Sequence, residues 1–236
     1  GWDRDRSVRV LDPACGDGRL LHAVHDRLRA RGRRVELTGC DIDPAAVGAL
    51  ATTVDAPVRT IHANALDHDW GDDTFDIVIG NPPYLSQMAT ATTRGGSSRH
   101  GGGPYADVAA EFLALAVRLA DADHGGFAIV LPQSILASRD AGPVRESVDA
   151  LADHAWSWWT PRQQLFDANV RVCVLGFRRP STGDPPPFAW TRVVTDRLDV
   201  PQLDPAGLTT SGSIGDRADL NANFRDEYYA LVPAVA

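Results

Sequence analysis

The chain has 236 residues, 44% of them hydrophobic, with a formal net charge of −8 and no lysine. That length and composition suffice for one substantial α/β core. No stretch approaches the ~20 apolar residues of a bilayer span and no signal-peptide pattern opens the chain, so we expect a cytoplasmic protein without membrane contact. The acidity argues against a broad basic face of the kind that neutralises phosphates. Cys15, Cys40 and Cys173 each sit within or beside a predicted strand, where buried reduced thiols are expected, and their spacing is not that of a zinc site.

Residues 8–11 read as a short strand that runs into Asp12 and a glycine turn. The following helix carries Leu20, Leu21, Val24 and Leu28 on one face. Gly16 and Gly18 permit positive φ and close approach of a ligand to the backbone, and amides at the helix start suit a ligand carboxylate. Such a turn is common in Rossmann-like proteins, and this one is not the dinucleotide fingerprint. A second strand ends at Asp41, whose carboxylate at a strand tip suits the two hydroxyls of a ribose. Asp43-Pro44 reads instead as a helix cap. A third strand, residues 58–63, ends at Asn64-Ala65, where the Asn64 amide can meet an adenine edge. His62, Asp67, His68 and Asp69 read as solvated loop residues rather than metal ligands.

The apolar run at residues 75–80 is a buried strand, and Asn81-Pro82-Pro83-Tyr84 follows it directly. Two prolines cannot continue a sheet ladder, so the chain must leave at the strand's carboxyl end, where open α/β sheets bind ligands. An amide oxygen and a proline carbonyl beside a π-face suit the grip of a planar aromatic amine. Alone, the same string also fits a loop with a tyrosine lid. Together, Asp12, Asp41, Asn64 and Asn81 are four strand tips that converge on one crevice in a parallel sheet. Asp107 opens an amphipathic helix through Phe112, Leu115 and Leu119, and residues 126–132 form a fifth strand. The strand at 170–177 must run antiparallel to the one around Trp156–Trp159, because no crossover helix fits between them.

Asp12-Pro13-Ala14-Cys15-Gly16-Asp17-Gly18 and Asn81-Pro82-Pro83-Tyr84, in that order, resemble the motifs of gamma-class S-adenosylmethionine-dependent DNA adenine-N6 methyltransferases. The likeness covers roughly residues 8 to 180. It implies a Rossmann-like class I methyltransferase fold, a seven-stranded, mostly parallel sheet with an antiparallel last strand. It implies S-adenosyl-L-methionine as cofactor, contacted by Asp12, Ala14, Gly16, Gly18 and Asp41, and by Ile42, Asn64, Ala65, Asn81 and Pro83. It further implies that Asn81 and Pro82 hold the target amine while Tyr84 and Phe166 flank the base, because residues 165–175 resemble the family's target-base segment. Double-stranded DNA is the implied substrate, and a restriction or phage-defence system the implied partner.

The arginines at 27, 29, 31, 33 and 34 read as a solvated helix face on the far side of the sheet from the strand tips. Arg94, Arg99 and His100 lie in a glycine-rich loop beside the base pocket, where that loop either closes over nucleic acid or is a plain insertion. The family carries a cofactor-binding segment ahead of the first strand, where only residues 1–7 stand here, and a sequence-reading domain behind the catalytic one. We therefore expect a fragment, with residues 1–180 catalytic and residues 181–236 a linker that opens a target-recognition domain. Three alternatives stay open. They are an RNA base methyltransferase, a release-factor glutamine methyltransferase, and a domain that holds cofactor without activity.

Overall fold

The computed structural model describes residues 6–84, 107–136, 138–159, 172–179, 188–192 and 209–210. Strand β1 (Val8–Asp12) is buried on both faces, as expected of a strand inside a parallel sheet. It leads to helix α1 (Arg19–Arg29), strand β2 (Val35–Asp41), helix α2 (Pro44–Thr53) and strand β3 (Val58–His62). Asp43 caps α2 as its sequence predicts, accepting from Ala45 N–H at 2.8 Å with Pro44 in the first helical turn. Strand β4 (Ile77–Gly80) is shorter than the expected 75–80 run. Phe75 makes a separate bridge to Ala120, so the apolar stretch is divided between the ladder and a contact at its entrance.

Helix α3 (Val108–Leu119) begins behind Asp107, whose carboxylate accepts from Ala109 N–H at 2.9 Å. The expected one-faced amphipathic helix is corrected here. Every α3 residue except the half-buried Val108 and the exposed Arg118 is buried, Glu111 included, because the helix packs against both the sheet and helix α4 (Gly142–Leu151). Strand β5 (Gly126–Pro132) matches its predicted bounds. Strands β6 (Asp153–Trp159) and β7 (Val172–Arg178) pair antiparallel, as the short connection demanded.

The strand order is β3-β2-β1-β4-β5-β7-β6, with β7 the antiparallel member between β5 and β6. Strand β8 (Phe188–Arg192) extends this sheet by pairing parallel with β6, and β9 (Thr209–Thr210) pairs with β8. Two apolar cores flank the sheet. One packs α3 and α4 on Val78, Phe127, Ile129, Leu175 and Phe177. The other packs Leu21 and Leu50 on Val8, Val10, Leu37 and Ile79. Gly39 is needed for the second, since a Cβ there would lie 2.5 Å from Leu50 and 3.1 Å from Cys15 Sγ. Gly176 serves a matching role further along, opposite Trp156, whose indole a Cβ would meet at 2.3 Å.

At the amino end of the sheet, the buried Asp76 carboxylate accepts from Arg9 N–H at 2.7 Å and pairs with Arg6 and with His124 Nε2, the latter at 2.6 Å. The arginines after α1 lie at this same end, exposed apart from the half-buried Arg33. No described helix is long and apolar enough to cross a membrane.

Candidate cofactor and substrate site

Parallel pairing in the order β3-β2-β1-β4 brings the four predicted tips to one edge of the sheet. The chain leaves β1 through a turn in which Gly16 has φ of 50° and Gly18 φ of 84°. Both values fall in the left-handed region that favours glycine. At Gly18 a Cβ would also sit 2.2 Å from Leu50 Cδ1, so any larger residue would have to displace the buried Leu50 side chain of α2. Cys15 N–H donates to Cys40 O at 2.9 Å, which folds the turn onto the end of β2. Ala14 is half-buried against the larger core.

Asp41 closes this stitch. Its two carboxylate oxygens accept from Gly16 N–H at 2.8 Å and from Asp43 N–H at 2.9 Å. A capping role, read from sequence for Asp43-Pro44 and not for Asp41, is thus part of what Asp41 does. Each oxygen keeps a second lone pair for a hydroxyl. Beside it Ile42 is 67% exposed, the most open of the large apolar side chains in the described residues. Its carbonyl lies 3.2 Å from His62 Nε2, so a histidine read from sequence as a solvated loop residue anchors the segment that carries Ile42.

Asn64 is used more locally than expected. Its amide donates to Asp67 at 2.7 Å and its oxygen accepts from Leu66 N–H at 3.2 Å, closing an Asx turn. One N–H and one lone pair remain for a ligand. Ala65 beneath it is buried, and its carbonyl accepts from the Trp70 indole at 2.9 Å.

Asp12 is 1% exposed at the tip of β1. Its Oδ1 accepts from Ala14 N–H at 3.1 Å and lies 3.6 Å from where a Gly80 Cβ would stand. Burial pushes its carboxyl up to about 7; the Ala14 amide opposes this and the neighbouring Asp41 adds to it. Burial likewise pushes the Cys15 thiol up to about 12 and Cys40 to about 11, which makes both poor nucleophiles.

Beyond Gly80, Asn81 is exposed, Pro82 buried and Pro83 exposed. The Tyr84 hydroxyl turns back and donates to Asn81 Oδ1, a contact that sequence reasoning did not foresee. The Tyr84 ring packs against the larger core, and burial raises its phenol above the ordinary range. Gln133 was also missed. It is buried just past the tip of β5 and donates to Val172 O at 3.1 Å, tying β5 to the start of β7. Its only sequence signal is its place directly after Leu131-Pro132. Phe166 and the loop with Arg94, Arg99 and His100 lie outside the described residues. A separate cavity of about 410 Å³ between residues 65–74 and the end of α3 shares only Ala65 with this site.

Residues 10–94 match the family described as "Methyltransferase domain". Over 179 residues the chain is 27% identical to the type II methyltransferase M.CvrRI of Paramecium bursaria Chlorella virus XZ-6E, a match covering 75% of this chain and 44% of the relative. Over 78 residues it is 37% identical to the type II methyltransferase M.TthHB8I of Thermus thermophilus, covering 32% of this chain and 16% of that one. The chain thus spans less than half the length of either relative. Its fold is similar to that of a type I restriction-modification methyltransferase subunit from Streptococcus thermophilus, with TM-score 0.66, 17% identity, and coverage of 94% of this chain and 48% of that one. It is also similar to the type IIL restriction-modification enzyme MmeI, solved with DNA, with TM-score 0.62, 14% identity, and coverage of 86% and 34%. The described residues adopt the class I methyltransferase fold, and the sequence likeness that accompanies it is to type II methyltransferases.

Proposed function

We propose that the chain transfers a methyl group from S-adenosylmethionine to the exocyclic N6 amine of an adenine flipped out of DNA, within a restriction-modification or phage-defence system. One observation carries this reading. Asn81 leaves the carboxyl end of a central parallel strand with its side chain exposed, at the same edge as Asp12, the glycine turn and Asp41. The residues at that edge fit the cofactor. The exposed Ile42 offers an apolar platform for a purine, Asp41 keeps lone pairs for ribose hydroxyls, and the open space where a Gly16 Cβ would stand lets a methionine end approach the turn. Pro83 and Ala65 border the purine in this reading, with Asn64 on its edge.

The bound cofactor supplies an electrophilic methyl on a sulfonium. The chain's task is to ready the nucleophile. Adenine's amine is poor because its lone pair is delocalised into the ring. When Asn81 Oδ1 and Pro82 O accept the two amine hydrogens, the nitrogen moves towards tetrahedral geometry and the lone pair is freed. Positive charge then grows on nitrogen during in-line displacement and is stabilised by the same two oxygens. No strong base is required. Flipping the base costs a few kcal/mol, and stacking on Tyr84 and Phe166 offsets it by ~1–3 kcal/mol per ring.

Double-stranded DNA is the proposed partner. Arg94, Arg99 and His100 would meet its phosphates, with further contacts from the rest of a longer protein in which residues 1–180 are catalytic and residues 181–236 open a target-recognition domain. The test is methyl transfer from labelled cofactor to unmethylated genomic DNA, followed by nucleoside digestion. N6-methyladenine is the expected product. Methylation of cytosine, of RNA alone, or of a protein glutamine would overturn the reading.

A further inference from the structure

Asp12 occupies an unusual position. It lies wholly inside the wall between the glycine turn and the end of β4, yet borders the edge where the cofactor is proposed to bind. A buried carboxylate is costly unless a cation or several donors compensate it. Among the described residues the donor is a single amide, Ala14 N–H at 3.1 Å. The charged and titratable groups around it make ionisation harder. From the end of β2 it faces the Asp41 carboxylate and the Cys40 thiol, and from its own turn the Cys15 thiol. Gly80 and Asn81 bring no charge from β4. Arg19, at the start of α1, is turned outwards and paired with Asp17 at 2.7 Å.

We propose that Asp12 holds a proton in the ligand-free protein and releases it to solvent when the cationic cofactor binds, so that cofactor binding and proton loss are one coupled event. The inference rests on the cofactor reading above. S-adenosylmethionine brings a sulfonium and an ammonium against one carboxylate, a net positive charge. Placed against this wall, that charge supplies the compensation that the fold withholds. The O–H bond of the carboxyl breaks, the carboxylate remains beside the cofactor, and the proton passes to buffer. By reciprocity, anything that ionises Asp12 must tighten binding. With the free carboxyl pushed up to about 7, the ionised fraction rises about tenfold from pH 6 to pH 8. Affinity should follow it.

The experiment is titration calorimetry of the full chain with S-adenosylmethionine, at pH 6.5 in two buffers of different ionisation heat, for wild type and Asp12→Asn. Wild type should release about three-quarters of a proton per site, and its affinity should rise about tenfold from pH 6 to pH 8. Asp12→Asn should release about three-quarters of a proton fewer per site and lack that rise. The cofactor's own amine titrates alike in both proteins, so the difference isolates Asp12. Infrared difference spectra of wild type give a readout independent of the variant: a protonated carboxyl band should vanish on cofactor addition. Binding without proton release and without loss of that band overturns this inference and leaves the cofactor reading intact. Equal proton release in the variant also overturns it. No binding in either protein overturns the cofactor reading itself.

Discussion

Asp12 and Asp76 are both 1% exposed, at opposite ends of neighbouring strands β1 and β4, but they are compensated in opposite ways. Asp76, at the amino end, meets two cationic or protonatable side chains, Arg6 and His124, and a backbone amide from Arg9. His124 is held in turn by Asp121 at 2.8 Å. Asp12, at the carboxyl end, has one amide donor among the described residues and feels the charge of a second carboxylate, Asp41. Burial alone therefore does not say what a buried charge is for. A carboxylate surrounded by donors from its own chain is a fastening. One enclosed without them, beside an open edge with an exposed isoleucine and an exposed asparagine, awaits a partner.

The sharpest break of this contrast is at the open edge. In a version of the protein that methylates DNA, Asn81→Ala should lower the methyl-transfer rate at least ~100-fold while cofactor binding changes little, since the amide matters most as charge develops on the amine. Single-turnover kinetics with parallel calorimetry checks this, and a normal rate on adenine would remove Asn81 from the pocket.

The next effect separates the two aspartates by pH. The Asp12 carboxyl is raised in the folded state, so its stabilising contribution is full below the unfolded value near 4 and is lost as pH rises through about 7. Ligand-free Asp12→Asn should therefore match wild type near pH 4 and exceed it by up to ~4 kcal/mol at pH 8. His154 works in the other direction. Burial lowers it to about 4, so stability is lost as pH falls from 6.5 towards 4, in both proteins alike. Urea melts across that range give the difference directly. A constant offset would mean that Asp12 is not titrating.

At the fastened end, Asp76→Ala should cost ~3 kcal/mol of stability at neutral pH by stripping partners from the Arg9 amide, Arg6 and His124. Cofactor affinity measured well below the melting temperature should be unaffected. A selective loss of affinity would show that the two ends are coupled. The smallest effect should come from Asp41→Ala, which weakens cofactor binding by ~2 kcal/mol through lost hydrogen bonds to hydroxyls. Because Asp41 also holds Gly16 N–H and Asp43 N–H, part of that loss should appear as a looser turn, measurable by hydrogen exchange at Gly16.

Much of this was legible in the sequence, because strands and their exits are local. The run into Asp12, the Asp43-Pro44 cap and the two prolines that end β4 each follow from backbone sterics within a few residues. So does the antiparallel sense of β6 and β7, set by a connection without room for a crossover. Other features were decided only when distant segments met. Sequence did not show that nearly all of α3 would be buried, because α4 lies more than twenty residues further on. Nor did it show that Tyr84 would turn back onto Asn81, or that β7 would slot between β5 and β6. In sequence Asp12 ends one apolar run and Asp76 lies inside another, and neither place tells what surrounds the carboxylate. What divides them is the strand order, which sets one carboxylate among cations and the other beside Asp41, since electrostatic environment depends on neighbours in space rather than along the chain.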